Sequence, residues 1–342
     1  SYVGRRARNL LATRDIMQLN NIRDPQSGMD WYAAAGMLYD ARKQNVLVED
    51  IPAIPYFENL FPYFTWLGWD TPTQNAYGFV AKIEEGGYDI PDYTFLQSYL
   101  DDDGIYPNMF FHPQYAALST WSTVAYSDYH AATLSVRERF GTSFSLDFNY
   151  TFSKSIDNAS GLQTSTAYDT AFILNSLRPD DNKSVSDFDM KHIVNMNSLW
   201  QLPVGRGHRF LGDATPVVDA FLGGWQLGNI FRWNSGTPVG APFDGEVWAT
   251  NWNVMSSGSL TRPLKASPTK SGDYPNFFEN PEAAFRSFRH AKPGETGQRN
   301  IFRIPSYVAL DFQLAKSWAL PYAEGHKLQL RWEVFNLTNT QR

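Results

Sequence analysis

The chain contains no cysteine, so disulfides and thiolate metal sites are excluded, and an oxidising compartment is allowed without being implied. No run of 18 apolar residues occurs, so no transmembrane helix is expected. Basic residues are few, with 29 Lys and Arg against 35 Asp and Glu and a net charge of −6. That balance argues against a nucleic-acid partner, which would call for a basic face. The six histidines, His112, His130, His192, His208, His290 and His326, show no metal-ligand spacing. No G-x-S-x-G elbow is present to anchor a hydrolase, and nothing in the spacing selects a carboxylate pair for glycoside cleavage. The expectation is a protein that is not an enzyme, with no catalytic, cofactor-binding or metal residues, and with ligand-binding residues that the sequence leaves unknown.

What is abundant is aromatic: 11 Trp, 18 Tyr and 24 Phe in 342 residues. The mean hydropathy is nevertheless negative, at −0.39. Both are accounted for if the chain crosses a membrane with strands. A strand turns only every second residue to lipid, so averaging hides it, and aromatic rings gather at the two membrane interfaces.

The clearest strand is Phe144-Ser145-Leu146-Asp147-Phe148-Asn149-Tyr150-Thr151-Phe152, where large apolar residues alternate with small or polar ones. Nine residues are about what a tilted strand needs to cross a bilayer core. Similar alternation predicts six strands, at about 129–140, 143–153, 191–202, 223–235, 305–317 and 326–337. Their links alternate in length: a two-residue turn at Gly141-Thr142, then 154–190 (long), 203–222 (intermediate), 236–304 (very long) and 318–325 (short). Short periplasmic turns and long extracellular loops give this parity in an up-and-down membrane barrel. The fold class expected is therefore all-β, an antiparallel transmembrane β-barrel with long loops, spanning 129–342.

Residues 1–128 are read as mostly an extracellular loop region. A short helix is expected near 30–43, carrying Trp31, Ala34, Ala35, Leu38 and Ala41, and an edge of strand at Tyr2-Val3. Beyond the helix, Pro52, Pro55 and Pro62 interrupt any regular period. The aromatic stretch from Tyr56 to Trp69 has no period; rings packed against each other explain it, and a platform for apolar ligand faces is the alternative. The start at Ser1-Tyr2 and the end just after a strong strand lead us to expect cuts in a longer chain.

Several polar clusters need weighing. Asp101-Asp102-Asp103 has the oxygen donors calcium wants, but a solvated acidic loop explains it more simply. Asp180, Asp181, Asp187 and Asp189 admit the same two readings. Gly205-Arg206-Gly207-His208-Arg209 lacks the Lys-Ser/Thr of a P-loop and reads as a periplasmic turn. His192 is expected to make a structural hydrogen bond at a strand mouth. Arg137, Arg139, Lys327, Arg331 and Glu333 would line the lumen or meet a plug, with mixed signs that set no charge preference. The sequons at Asn149, Asn158, Asn182 and Asn336 carry little weight.

A set of segments in fixed order resembles Oar-like TonB-dependent receptors. It includes Tyr129 to Phe140 running into Phe148 to Ser160, and Asp187-Phe188-Asp189-Met190-Lys191-His192, which looks like the family's Asp-x-Arg-His with Lys191 in place of Arg. Leu202-Pro203-Val204-Gly205-Arg206-Gly207, Gly223-Gly224-Trp225-Gln226-Leu227, Ser235-Gly236-Thr237-Pro238, Gly297-Gln298-Arg299-Asn300 and Glu333 to Asn339 complete the series. Tyr2 to Arg6 and Ile54 to Pro62 match upstream. The resemblance implies a 22-stranded barrel of which this chain would be part of the C-terminal half. It also implies an N-terminal plug, the periplasmic energy-coupling protein TonB as partner, outer-membrane lipid around the strands, and a solute bound at the loops for energised import. A barrel serving adhesion, secretion or scaffolding without import is the second reading. A soluble β-sandwich that binds carbohydrate is the third.

Overall fold

The computed structural model describes residues 1–16, 21–85, 93–115, 118–162, 172–240, 256–271, 274–320 and 326–340. Seven long strands form one sheet: β1 (Tyr2–Asp15), β2 (Ser119–Phe140), β3 (Phe144–Asp157), β4 (His192–Gln201), β5 (Trp225–Asn234), β6 (Tyr307–Ala319) and β7 (Lys327–Val334). Each pairs antiparallel with the next in sequence, giving the order β7-β6-β5-β4-β3-β2-β1. This is an up-and-down meander curled into a half-barrel. It is not a sandwich, because no second sheet covers the apolar face among the described residues.

Register decides the two faces. Val136 lies opposite Phe148, Phe148 opposite Met196, Met196 opposite Phe231, and Phe231 opposite Leu310. Leu314 and Trp332 continue the same face on β6 and β7. One residue along, Ser135 pairs with Asn149, Asn149 with Asn195 and Asn195 with Arg232, all on the other face. The apolar side is left open: Trp332 is 59% exposed and Leu330 61%. In water so much uncovered apolar area would be costly, whereas in a bilayer it is what lipid solvates.

Rings mark both ends of the apolar face. At one end Tyr150 and His192 stack, with a Tyr150 Oη to His192 Nδ1 hydrogen bond of 2.8 Å, and Trp233 lies beside them. At the other end Phe140 packs on Phe144, and Trp200 lies opposite Phe144. Phe144 to Phe152 covers about 26 Å along β3, or about 20 Å along the barrel axis at a tilt of about 40°. That is near the height of a barrel's lipid-facing band. Ser198 and Asn229 interrupt the face and hydrogen-bond each other at 2.7 Å. A polar pair facing lipid has to find its partner within the protein.

The turn after β2 has three residues rather than two: Ser143 belongs to it, and Gly141 takes a φ of 53°. β2 starts at Ser119, well before 129, because it continues past the membrane band to pair with β1 as far as Asp15. β1 is therefore much more than an edge at Tyr2-Val3. Its alternation is broken by register shifts between Ala7 and Ala12, with Asn9 at a φ of 56°, and this hides it in the sequence.

Between β1 and β2 the described residues form four α-helices where one was expected: α1 (Trp31–Lys43), α2 (Pro55–Leu60), α3 (Pro72–Glu85) and α4 (Tyr93–Leu100). Asp30 caps α1 by accepting from the Ala33 amide at 2.9 Å, and Pro55 opens α2 at the position where no amide is needed. These helices enclose a core of Trp31, Leu38, Tyr56, Phe57, Phe61, Phe64, Val80, Leu96 and Phe110. The prolines that break the periodicity are thus helix starts as well as stops. The expected connections 154–190, 236–304 and 318–325 each run partly outside the described residues. Within the described parts, short pairings such as Pro238–Val239 with Phe302–Arg303 give the longest one structure of its own.

Candidate functional site: the polar face and the cap above it

The inner face of the half-barrel is polar by alternation. Arg137 donates to Asp147 at 2.9 Å, Ser135 to Asn149 at 2.7 Å and Asn149 to Asp147 at 2.6 Å. Thr133 and Thr151 meet at 3.3 Å, and Arg331 lies 3.5 Å from Glu333. The curl bounds an open cleft of about 600 Å³ lined by Arg137, Asp147 and Glu333 and also by Leu199, Ile230 and Phe335. Both signs are present. Exposed pairs like these contribute little to stability, so their side chains stay free to exchange partners with anything entering.

Above this face the long connections meet. Arg299, from the connection between β5 and β6, donates to Asp157 at the end of β3 at 2.7 Å and to Asp187 at 3.1 Å. Its side chain is nearly buried, as is that of Asp157. Asn300 donates to Asp187 Oδ1 at 2.6 Å and to the Val185 carbonyl at 2.8 Å. Arg303 pairs with Asp189, which also accepts from the Ser155 amide at 2.6 Å. Three carboxylates thus face two guanidiniums, with Arg299, Asp157 and Asp189 nearly buried and Asp187 and Arg303 half-buried. Removing one partner would leave a buried charge uncompensated.

The helical segment joins the cap around a glycine. Gly294 has a φ of 84°, and a Cβ there would sit 2.8 Å from the Tyr32 ring of α1. Its carbonyl accepts from Arg178 at 2.5 Å and from Asn175 at 3.4 Å, both in the connection after β3. Nearby, Lys292 pairs with Asp40 at 2.8 Å and lies over the Tyr39 ring. Arg289 and Glu295 pair at 2.7 Å. Burial pushes the Glu295 carboxyl up, but the Arg289 hydrogen bond, the Lys292 amide and the two cations outweigh it and hold its pKa below the ordinary value. Three stretches far apart in sequence therefore make one cap.

The aromatic stretch divides. Tyr56, Phe57, Phe61 and Phe64 are core, as self-packing requires, whereas Tyr63 and Trp66 are exposed. Trp66 lies 6.0 Å from the Tyr99 ring and donates its indole N–H to Asp103 at 2.5 Å. Asp101 is buried and accepts from the Phe110 amide, so it fastens a loop; desolvation raises its pKa. Asp181 pairs with Arg178 at 3.1 Å, while Asp187 and Asp189 face the two arginines. Among the described residues no group of three His, Asp or Glu side chains is arranged to hold a metal.

The sequons also have structural roles. Asn158 is buried and accepts from the Tyr126 amide, and Asn182 donates to the Phe172 carbonyl at 2.8 Å. Gly205 to Arg209 turns back on itself, with Gly205 at a φ of 117° and the Arg206 amide on Asp219 at 2.6 Å.

Sequence reasoning placed Arg299 in a family segment but gave it no role, and it passed over Arg303. Neither has a local signal, because each partner lies over a hundred residues away.

No curated protein and no solved structure matches the chain. A family model does, over its whole length. One curled antiparallel sheet, an apolar face open to lipid between two aromatic belts, and a polar inner face are the properties that family's description predicts. The chain belongs to the outer membrane β-barrel domain family, whose model matches residues 1–342, and the protein is a bacterial outer-membrane β-barrel protein.

Proposed function

We propose that this barrel serves a TonB-dependent receptor of the Oar-like kind, which binds a solute at its extracellular cap and passes it through the lumen once an energised partner displaces a plug. It performs no catalysis of its own. The observation that carries this reading is the cap itself: the connections after β3 and β5 are fixed over the concavity of the sheet by the Arg299–Asp157–Asp187 cluster, and the helical segment is tied to them through Lys292 and Asp40. Loops built only to cover a barrel would not need such a clasp. A binding surface does, since order paid in folding is not paid again on binding. The import step, the plug and TonB rest on the segment resemblance. The solute would meet the exposed rings Tyr63, Trp66 and Tyr99 first and the mixed charges of the inner face second.

The test is uptake. A strain lacking the gene is grown beside its parent on spent medium, and depletion of small solutes is followed with and without a protonophore. Depletion of one solute that needs both the gene and the proton gradient is the expected result. Equal depletion in both strains, with loss of surface attachment in the mutant, would favour the adhesion reading. The outward-facing helical segment between β1 and β2 favours that second reading most.

A further inference from the structure

The connection from β4 to β5 is on the periplasmic side, and it carries a feature that neither import nor binding uses. It contains a short helix, α5 (Pro216–Leu222), of sequence PVVDAFL. Thr215 caps its start, and its one acidic side chain, Asp219, turns back to accept from the Arg206 amide at 2.6 Å. That leaves an uncharged surface in which Val217, Val218, Phe221 and Leu222 are all exposed; Phe221 is 71% exposed.

Where α5 sits is fixed by three side chains. Trp225 donates its indole N–H to the Phe221 carbonyl at 2.9 Å, and Trp318 donates to the Ala220 carbonyl at 2.7 Å. Lys316 reaches the Gly223 carbonyl and, at 3.4 Å, that of Asp219. By register these three belong to the outward face: Trp225 lies opposite Lys316, Lys316 opposite Leu330, and Trp318 opposite Leu328. The helix therefore lies on the lipid side of the sheet, not under the lumen. The Ala220 and Phe221 carbonyls at its C-terminal end accept from the two indoles, and the Gly223 carbonyl just beyond it from the ammonium. Lys316 is only 2% exposed and lies 5.3 Å from the Trp318 ring centre. The backbone must come close for this. A Cβ on Gly224 would be 2.7 Å from the Ser317 carbonyl.

We infer that α5 is a membrane anchor whose apolar side is seated in phospholipid at the acyl–headgroup boundary of the periplasmic leaflet. The argument is continuity. Leu328, Leu330 and Trp332 on the same face are exposed to lipid in an outer-membrane barrel, and α5 extends that surface, the Lys316 that lies between them being buried. Trp and Lys at its base are the residues that settle at such boundaries. A helix of this kind binds by buried apolar area.

The absence of cysteine in this chain makes the test direct. In the full-length barrel, with any cysteine elsewhere replaced, single spin labels go on V217C, F221C, L330C as a lipid reference and D213C as a water reference. Each variant is first checked for an unheated-gel mobility shift, and V218C stands in for any that fails. In phospholipid nanodiscs, labels at 217 and 221 are expected to be more accessible to oxygen than to a water-soluble nickel chelate, as at 330 and opposite to 213. Nickel accessibility equal to that at 213 would place α5 in water and overturn the inference. Protection from both reagents would mean that protein, not lipid, covers it, and would also overturn it. Trp318→Phe, which removes one clasp, is expected to shift label 221 toward nickel.

Discussion

The outer face of the sheet and the helical segment between β1 and β2 are both crowded with aromatic rings, and they use them in opposite ways. Trp332 stands 59% exposed on β7, while Trp31, 1% exposed, is sealed among Tyr56, Phe57 and Phe110. One region has its apolar side outward and relies on the membrane for burial; the other folds around its own core as a water-soluble domain does. The same composition serves two solvents. Hydrophobic content alone says little about location, and the arrangement of the rings along the chain says much more: period two in the strands, no strand period in the helices.

That comparison can be broken in several ways. Trp31→Ala should cost the helical segment about 3–5 kcal/mol and open it to protease, while the barrel still shifts in mobility on boiling. Loss of the shift as well would mean the two regions fold as one. Arg299→Ala leaves the buried Asp157 without its cation and should cost about 3–5 kcal/mol, read as cleavage in the connections after β3 and β5. Leu146→Arg puts a cation on the lipid face and should destabilise the barrel by about 2–4 kcal/mol in a denaturant titration in lipid. Asp147→Asn, one residue along on the inner face, should cost under about 1 kcal/mol in the same assay. Equal losses at 146 and 147 would mean the faces are misassigned.

The smallest effect expected concerns pH. Glu295 has a lowered pKa in the folded cap, so its contribution is present above the ordinary value of 4.5 and fades as pH falls through the lower folded value. Acidification below pH 4.5 should loosen the Lys292–Glu295 stretch to hydrogen exchange before it affects the strands. Glu295→Gln should abolish that difference.

The strands from β2 to β7 were legible because Phe144 to Phe152 alternates throughout and its neighbours do so over most of their length. β1 was not, since the irregularity between Ala7 and Ala12 shifts its phase halfway. The helices were half legible: α1 shows a helical spacing, but α2 and α4 are short, and the prolines that open α2 and α3 look like breaks when no cap is visible. The cap's clasp could not be read at all. Arg299 and Arg303 carry no local pattern, and what gives them meaning is spatial closure, which strand periodicity does not encode. Asp187 and Asp189 were noticed as acids, and only the fold shows which cations answer them. Lys316 was missed for a related reason, as it interrupts an apolar strand face and is explained by a helix that precedes it by about a hundred residues.

The Asp157–Arg299 pair spans 142 residues of chain. In folding terms it is among the last contacts that can form. The β2–β3 hairpin closes over three residues, but the clasp requires β3 to be in place and the chain beyond β5 to have returned to the end of the sheet away from that hairpin's turn. Loop closure of this length is slow relative to hairpin zipping. The ion cluster therefore works as a completion mark: a sheet still assembling has an open rim, and only one that has passed β5 can shut it. An assembly intermediate should thus be distinguishable from the finished protein by the state of the connections at that rim.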